Sequence, residues 1–257
     1  MEKSYLWGID LGGTKIECAV LSASDVTQVI ARERIDTEAF KGYEHIISQV
    51  ARLVSRVSEQ LGVSPSRIGF ATPGVLNPAT QTMKNCNTTS MNGRAMAADL
   101  TKALGVEVRL ANDANCFALA ETHLGAVQDV NPKAEVVFGI IMGTGVGGGL
   151  VVHGQVINGL HGIGGEWGHN ILDDGGKACY CGKSGCVEHV ISGPALEEFY
   201  LAESGQKLRM PQILQAHLAG TDMHASATIE RMLENFGRAV STLINVLDPQ
   251  VIVIGGG

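Results

Sequence analysis

The residues with the most specific chemistry are one histidine and three cysteines close together in the chain. His169 is followed by the segment Cys179-Tyr180-Cys181-Gly182-Lys183-Ser184-Gly185-Cys186. Three thiolates and one imidazole can complete a tetrahedral zinc site, and the intervening glycines permit the sharp bends that bring the ligands together. Four protein ligands leave no open coordination position, so the pattern predicts a structural Zn²⁺ site. A redox role stays open, because cysteines separated by one residue can also form strained disulfides.

Two glycine-rich turns are candidates for binding phosphate. One is Asp10-Leu11-Gly12-Gly13-Thr14-Lys15, and the other begins Gly143-Thr144-Gly145. Such turns expose backbone N–H groups to phosphate oxygens, and the first adds a hydroxyl, a positive charge and a carboxylate that can hold a metal ion through water. Neither has the spacing of a P-loop or of a dinucleotide-binding motif. A plain tight turn is the alternative for either one alone, but two such turns favour a nucleoside triphosphate.

Several acidic and amide side chains are candidates for binding a hydroxylated substrate or for catalysis on it. Asn112 and Asp113 stand where a predicted strand gives way to a predicted helix, and a helix N-cap is the simpler interpretation. An aspartate at the end of a strand can also take the proton from a hydroxyl that attacks a phosphoryl group. Glu166 and Glu188 flank the predicted zinc ligands, and a metal-ordered loop would present them to sugar hydroxyls. Ordinary surface charge is the alternative for both glutamates.

The elements that must position these residues alternate between strands and helices. Apolar residues spaced by three and four from Tyr43 to Leu61 predict an amphipathic helix, which Gly62 ends. Strand–glycine turn–strand units near both candidate phosphate turns predict two hairpins. At an offset of 131 residues the second repeats the first, with Gly8 aligned to Gly139. These patterns predict an α/β protein of two similar lobes with a ligand cleft between them.

The composition excludes several classes of protein. Glycine accounts for 33 of 257 residues, nearly twice the average share of about 7%, yet there is no three-residue repeat and there are only 7 prolines. Collagen and low-complexity linkers are therefore excluded. A net charge of −7 with scattered basic residues argues against nucleic acid as a partner. No apolar run approaches the roughly 18 residues of a membrane span and no signal peptide is evident, so we expect a cytoplasmic protein without a membrane partner.

Together these motifs resemble those of the ROK family (repressor, open reading frame, kinase) of bacterial sugar kinases. They occur in family order from residue 10 to the end, as Asp10-x-Gly12-Gly13-Thr14-Lys15, Asn112-Asp113-Ala114-Asn115, Gly143-Thr144-Gly145-x-Gly147-Gly148-Gly149, Gly165-Glu166-Trp167-Gly168-His169, Cys179-x-Cys181-Gly182-x-x-Gly185-Cys186-x-Glu188, and Asp248-Pro249 leading to Ile254-Gly255-Gly256-Gly257. Such an ordered set is far more specific than any single glycine motif.

The resemblance implies an actin-like ATPase fold of two ribonuclease H-like lobes with an interlobe cleft, usually as a homodimer. We place the lobes at residues 1–112 and 113–257, the second with the zinc loop and without the family's final helices. The implied activity is transfer of the γ-phosphoryl group of ATP, with Mg²⁺, to the 6-hydroxyl of a hexose. The segments Lys84–Gly93 and Glu166–Asn170 look most like the fructokinase or mannokinase branch, with fructose, mannose or glucose as the hexose.

The resemblance also assigns roles by position. Asp113 would be the catalytic base. The sugar hydroxyls would be bound by Asn87, Asn112, Glu166, His169 and Glu188. The nucleotide would be contacted by Asp10, Gly12, Gly13, Thr14, Lys15, Gly143, Thr144, Gly145, Gly255 and Gly256. Zinc would be bound by Cys179, Cys181, Cys186 and one ring nitrogen of His169, whose other nitrogen would meet the sugar.

Other functions within the same resemblance stay open. N-acetylglucosamine and N-acetylmannosamine kinases share these contacts, and the shape of the pocket decides between them. Repressors of the family carry an N-terminal helix-turn-helix extension, whereas the first hairpin here begins at Tyr5. A sugar-binding module without catalysis is a further alternative, which the expected lack of final helices favours.

Overall fold

The computed structural model describes residues 4–256, which form two compact units. The first unit runs to Cys116 and also includes Asn158–Ile163, and the second comprises Phe117–Ile157 and the chain from Gly164 onward. The lobe boundary between residues 112 and 113 stays a prediction. Gly257, the last residue of the predicted terminal glycine turn, lies outside the described residues.

The first unit is built on a five-stranded mixed sheet. Its strands are β1 (Tyr5–Leu11), β2 (Lys15–Ser22), β3 (Val29–Asp36), β4 (Arg67–Thr72), the short pair β5 (Val75–Leu76) and β6 (Met83–Lys84), and β7 (Glu107–Asn112). The order in the main sheet is β3-β2-β1-β4-β7, with β1, β2 and β3 antiparallel and β4 and β7 parallel to β1. Helices α1 (Tyr43–Leu61) and α2 (Met96–Leu104) and single 3₁₀ turns at Ala39–Lys41 and Thr89–Met91 complete this unit.

The chain passes from the first unit to the second within one helix, α3 (Asp113–Leu124). The elements that follow are α4 (Ala126–Val130), β8 (Val136–Met142), β9 (Val146–Val152), β10 (Gln155–Val156), a 3₁₀ turn at Trp167–His169, α5 (Glu188–Ile191), α6 (Gly193–Ser204), α7 (Met210–Leu218), α8 (Met223–Leu247) and β11 (Val251–Gly255). The sheet order is β10-β9-β8-β11, in which β11 is parallel to β8.

Helix α1 shows how the sequence pattern becomes packing. Its bounds are the predicted Tyr43–Leu61, and Gly62 ends it in the left-handed region at φ 66°. Ile46, Val50 and Leu53 are fully buried on one face, and burying such a side chain stabilises the fold by about 1.5–3 kcal/mol. The periodicity of apolar residues therefore predicted this element correctly.

The two predicted hairpins are present, and the first strand of each pairs with a parallel strand. The β1–β2 hairpin pairs with parallel β4, and the β8–β9 hairpin pairs with parallel β11. The sequence repeat is thus a repeat of topology. Within β1 the side chains of Trp7, Ile9 and Leu11 enter the core, so Asp10 lies on the opposite face of the sheet.

None of the helices within residues 4–256 combines the length and the apolar composition that crossing a bilayer demands.

Candidate functional site

The first glycine turn is a tightly anchored link between β1 and β2. The Gly12 N–H donates to the Lys15 carbonyl at 2.9 Å, and the Thr37 hydroxyl donates to the Gly12 carbonyl at 2.7 Å. The Lys15 amine forms an ion pair with the Asp36 carboxylate on β3. Both of these side chains are exposed, and such pairs contribute little to stability. The lysine can therefore exchange its carboxylate partner for a phosphate at low cost.

The loop that contains Asn87 lies against this turn. A Cβ atom on Gly13 would stand 2.8 Å from the Thr88 Oγ1 atom, so the two segments approach each other closely. Asn87 itself is exposed, and its Oδ1 atom is 3.5 Å from the Thr88 hydroxyl. The first unit therefore brings a predicted phosphate turn and a predicted sugar-binding asparagine together.

The candidate base Asp113 is the first residue of α3, and its side chain is accessible to solvent although the surrounding protein partly desolvates the carboxylate. Burial raises the pKa of Asp113, the Ala114 N–H at 2.8 Å lowers it, and the negative charge of Asp10 raises it further, with a net upward shift from 3.8. Burial also raises the pKa of Asp10, as does Glu17, whereas Arg34 lowers it. A carboxyl whose pKa is moved toward neutrality is a more effective proton acceptor than one at its ordinary value.

Asn112 is the N-cap of the same helix. Its Oδ1 atom accepts a hydrogen bond from the Asn115 N–H at 3.2 Å, the usual partner of a capping side chain. Its Nδ2 atom lies 3.5 Å from the Gly74 carbonyl. Asn112 therefore has the capping role that its position predicted. The capping bond fixes the direction of the amide and still allows Nδ2 to contact a ligand.

The second glycine turn is tied to Glu188. The Gly143 N–H donates to the Gly145 carbonyl at 2.9 Å, and the Val146 N–H donates to the Glu188 Oε2 atom at 3.0 Å. A Cβ atom on Gly145 would stand 2.6 Å from that same oxygen. A predicted nucleotide-binding turn and a predicted sugar-binding carboxylate are therefore in direct contact.

The end of β11 reaches the same turn. Gly256 adopts φ 119°, and a Cβ atom on it would stand 1.8 Å from the Met142 carbonyl oxygen, immediately before Gly143. Gly255 pairs with Ile141 in the parallel β8–β11 ladder. Two segments more than a hundred residues apart in the chain thus form one glycine-lined surface.

A cavity of about 330 Å³ opens beside Gly143 and Thr144, and none of the sequence motifs predicts it. Its other lining residues are mainly apolar: Met142, Ile191, Gly193, Pro194, Leu196, Glu197, Arg209, Met210, Pro211 and Met232. Arg209 donates to Glu197 at 2.8 Å at this site. The sequence Ser192-Gly193-Pro194 is typical of a helix start and could have indicated this wall of the cavity. In the structure that helix start lies against the glycine turn, because the Gly193 N–H donates to the Gly143 carbonyl at 2.9 Å. The cavity has the size and apolarity that a nucleotide base requires.

The predicted zinc ligands form one compact cluster. The ligand atoms of His169, Cys179, Cys181 and Cys186 all lie within 4.8 Å of one another. The Cys179 Sγ atom is 3.5 Å from His169 Nδ1, and the Cys181 and Cys186 Sγ atoms are 3.6 Å apart. Ligand atoms of a tetrahedral zinc site, with bonds of about 2.3 Å to sulfur and about 2.0 Å to nitrogen, stand roughly 3.5–3.8 Å apart. The donor set and its spacing therefore fit Zn²⁺.

The other ring nitrogen of His169 faces away from the sulfur atoms. Its Nε2 atom is 3.2 Å from the Tyr180 hydroxyl and 3.9 Å from the Glu166 Oε2 atom. The Tyr180 ring meets the imidazole edge-on, with centroids 5.1 Å apart. Tyr180 lies between two cysteines, and the motif alone did not distinguish it as a partner of His169.

Comparisons with known proteins agree on one family. The model of the ROK family matches residues 6–257. The chain is 37% identical over 262 residues to the N-acetyl-D-glucosamine kinase of Pasteurella multocida (strain Pm70), covering 98% of this chain and 83% of that protein. Among solved structures, a ROK hexokinase from Thermus thermophilus is 33% identical with a TM-score of 0.82, over 99% of this chain and 82% of that one.

A second solved structure supports the fold alone. The ROK family glucokinase from Streptomyces griseus, in complex with glucose and AMPPNP, is 24% identical and has a TM-score of 0.83. The superposition covers 99% of this chain and 83% of that chain.

Proposed function

The chain belongs to the ROK family, and on that premise we propose that it phosphorylates the 6-hydroxyl of an N-acetylated amino sugar, N-acetylglucosamine in the first place. Its fold is the actin-like ATPase fold, and the chain is an ATP-dependent sugar phosphotransferase. The observation that carries the choice of sugar is the 37% identity to an N-acetyl-D-glucosamine kinase over almost the whole chain. This choice takes up the alternative to the fructose and mannose branch that two sequence segments favoured.

Asp113 would act as the general base. Partial desolvation by the surrounding protein and the neighbouring Asp10 carboxylate raise its pKa, which suits it to take the proton from the sugar hydroxyl as that oxygen attacks the phosphoryl group. The N-cap contact of Asn112 would direct the start of α3, and with it the Asp113 carboxyl, toward the substrate. The amide of Asn112 and the exposed Asn87 would bind sugar hydroxyls in the first unit.

The nucleotide would be bound by the glycine turns. Backbone N–H groups at Gly12–Lys15 and Gly143–Gly145 would meet the phosphates, and the cavity beside Thr144 would receive the base. Asp10 would hold Mg²⁺ through water, in keeping with the preference of that ion for one or two carboxylates and several waters. When bound, the ion neutralises charge on the phosphates.

Zinc would be a structural element of the second unit. His169 and the three cysteines would occupy all four positions of a tetrahedral site, so no position would be left for catalysis. The cysteines are not joined in a disulfide, and the gathering of one imidazole with three thiols within 4.8 Å favours the metal over the redox alternative. The bound ion would order the loop from Glu166 to Glu188, so that the two glutamates and the outward Nε2 atom of His169 are held toward the sugar.

Homodimer formation remains a prediction of the family resemblance. Sedimentation of the purified chain at micromolar concentration measures its mass in solution directly.

The test of the proposed function is a panel of sugars in an assay that couples ADP formation to absorbance. N-acetylglucosamine should give the highest kcat/KM among N-acetylglucosamine, N-acetylmannosamine, glucose, mannose and fructose. A higher value for fructose or mannose would return the chain to the branch that its sequence segments suggested. Sugar binding without ADP formation would favour the non-catalytic alternative.

A further inference from the structure

A second cavity, of about 220 Å³, lies within the first unit beside Asn112. Four amide side chains contribute to its wall: Gln81, Asn112, Asn115 and Asn158. The short segment Asn158–Ile163 belongs to this unit, and Asn158 and Gly162 form part of the cavity wall. Gly162 anchors that segment at φ 71°, where a Cβ atom would stand 2.9 Å from the Leu76 carbonyl oxygen. The cavity is therefore a built feature of the unit.

Asn115 carries the chemical signal in this cavity. The residue is 2% exposed, and its Nδ2 atom donates to the Asn158 Oδ1 atom at 3.4 Å. Its own Oδ1 atom has no hydrogen-bond donor among residues 4–256. Burying an acceptor without a donor is costly, and native proteins seldom leave one unpaired. A group that occupies this cavity is therefore expected to bring an N–H or O–H donor.

The rest of the wall decides what kind of donor fits. The side chains of Val75, Leu76, Pro78 and Leu110 give the cavity an apolar part. Within residues 4–256, every side chain that lines it is uncharged, so a phosphate or a carboxylate would be buried without a counter-charge. The complementary ligand is neutral, with a donor, an acceptor and a methyl-sized apolar end. A secondary amide has these three features in four heavy atoms.

We propose that this cavity is the subsite for the 2-acetamido group of the substrate, an inference that rests on the proposed function. The acetamido N–H donates to the Asn115 Oδ1 atom, and the methyl group packs against Val75 and Leu76. The cavity is several times the roughly 30 Å³ that one water molecule occupies in the liquid, so it has room for this group. Its position beside Asn112 places it next to a residue proposed to bind the sugar ring.

The test compares two sugars that differ only at carbon 2. Calorimetric binding of N-acetylglucosamine and of glucose, without ATP, is measured for the wild type and for Asn115→Leu, which removes the acceptor at similar volume. Loss of one hydrogen bond corresponds to roughly a threefold to tenfold weaker affinity. We expect that loss for N-acetylglucosamine, with the affinity for glucose changed less than twofold.

Two further variants keep the result interpretable. Asn235→Leu makes the same change at a buried asparagine of α8, whose amide contacts Arg231 and Arg238, and it should leave the ratio of the two affinities unchanged. Val75→Ile adds one methyl group to the cavity wall and tests the site if Asn115→Leu does not fold. It should weaken binding of N-acetylglucosamine and not of glucose.

The outcomes separate this inference from the proposed function. Equal weakening for both sugars, or no change for either, would overturn the acetamido subsite, and the second result would assign the cavity to ordered water. If N-acetylglucosamine binds selectively but no ADP forms, the subsite stands and the kinase proposal fails. If N-acetylglucosamine is phosphorylated with an unchanged preference in both cavity variants, the kinase proposal stands and the subsite fails.

Discussion

Replacing Asp113 by asparagine should separate chemistry from folding. The amide has the shape of the carboxyl and keeps an oxygen that can accept the Ala114 N–H, which is 2.8 Å from the carboxylate in the wild type. It cannot accept a proton from the sugar hydroxyl. Loss of a general base typically costs about 10²- to 10⁴-fold in rate, equivalent to roughly 3–5 kcal/mol of transition-state stabilisation. We expect kcat to fall by that factor while the sugar still binds.

The same variant should be at least as stable as the wild type at pH 7. Burial raises the pKa of Asp113 from 3.8, so folding disfavours its charged form and the neutral amide avoids that cost. The folded protein binds this proton more tightly than the unfolded chain does. Wild-type stability attributable to this group therefore increases as pH falls through the raised pKa toward 3.8. The Tm advantage of the variant should accordingly shrink over that interval.

The assay combines single-turnover phosphorylation, sugar binding by calorimetry and Tm measured from pH 7 to pH 4. Asp129→Asn is the matched control, since Asp129 is an exposed acid on α4, and it should leave both kcat and Tm unchanged. A variant at Asp113 that keeps more than about a tenth of the wild-type kcat would refute the base assignment. A Tm well below that of the wild type would refute the account of a desolvated charge at Asp113.

Two further predictions concern the second unit. Gly256→Ala places a Cβ atom 1.8 Å from the Met142 carbonyl oxygen at a residue with φ 119°, so it should lower Tm and raise KM for ATP. The control Gly237→Ala, at an open helical position, should preserve KM and not lower Tm. An unchanged KM in Gly256→Ala would contradict the proposed nucleotide-binding surface. Cys186→Ser should lower Tm and reduce the bound zinc, measured by atomic absorption, below about one ion per chain. The control Cys18→Ser changes a buried cysteine outside the cluster and should retain the metal. Full zinc occupancy in Cys186→Ser would remove Cys186 from the ligand set.

Much of the fold and part of the candidate site could be predicted from residue type and local spacing. Periodic apolar residues predicted α1 to its exact bounds, and glycine turns between apolar runs predicted both hairpins. The cysteine spacing placed His169 and the thiols in one group, which the structure brings within 4.8 Å. These patterns succeed because they depend on neighbours in the chain.

Contacts between distant segments lay beyond such patterns. The Glu188 carboxylate accepts a hydrogen bond from the Val146 N–H, and Gly256 packs against the Met142 carbonyl. These residues are too far apart in the chain for a local motif to predict the contacts. The raised pKa of Asp113 depends on burial and on Asp10, which is far away in sequence. The cavity beside Gly143 is lined largely by residues that carried no signal of their own.

The sequence by itself determined the family, the fold class and the kinds of chemistry available, because residue types and short-range spacing specify turns, helices and ligand sets. Only the tertiary structure decided that the Nδ1 atom of His169, and not Nε2, faces the sulfur atoms, and that Asn115 is left with a buried acceptor beside an uncharged cavity. The physical reason is that burial, hydrogen-bond satisfaction and cavity shape arise from side chains that only folding brings together.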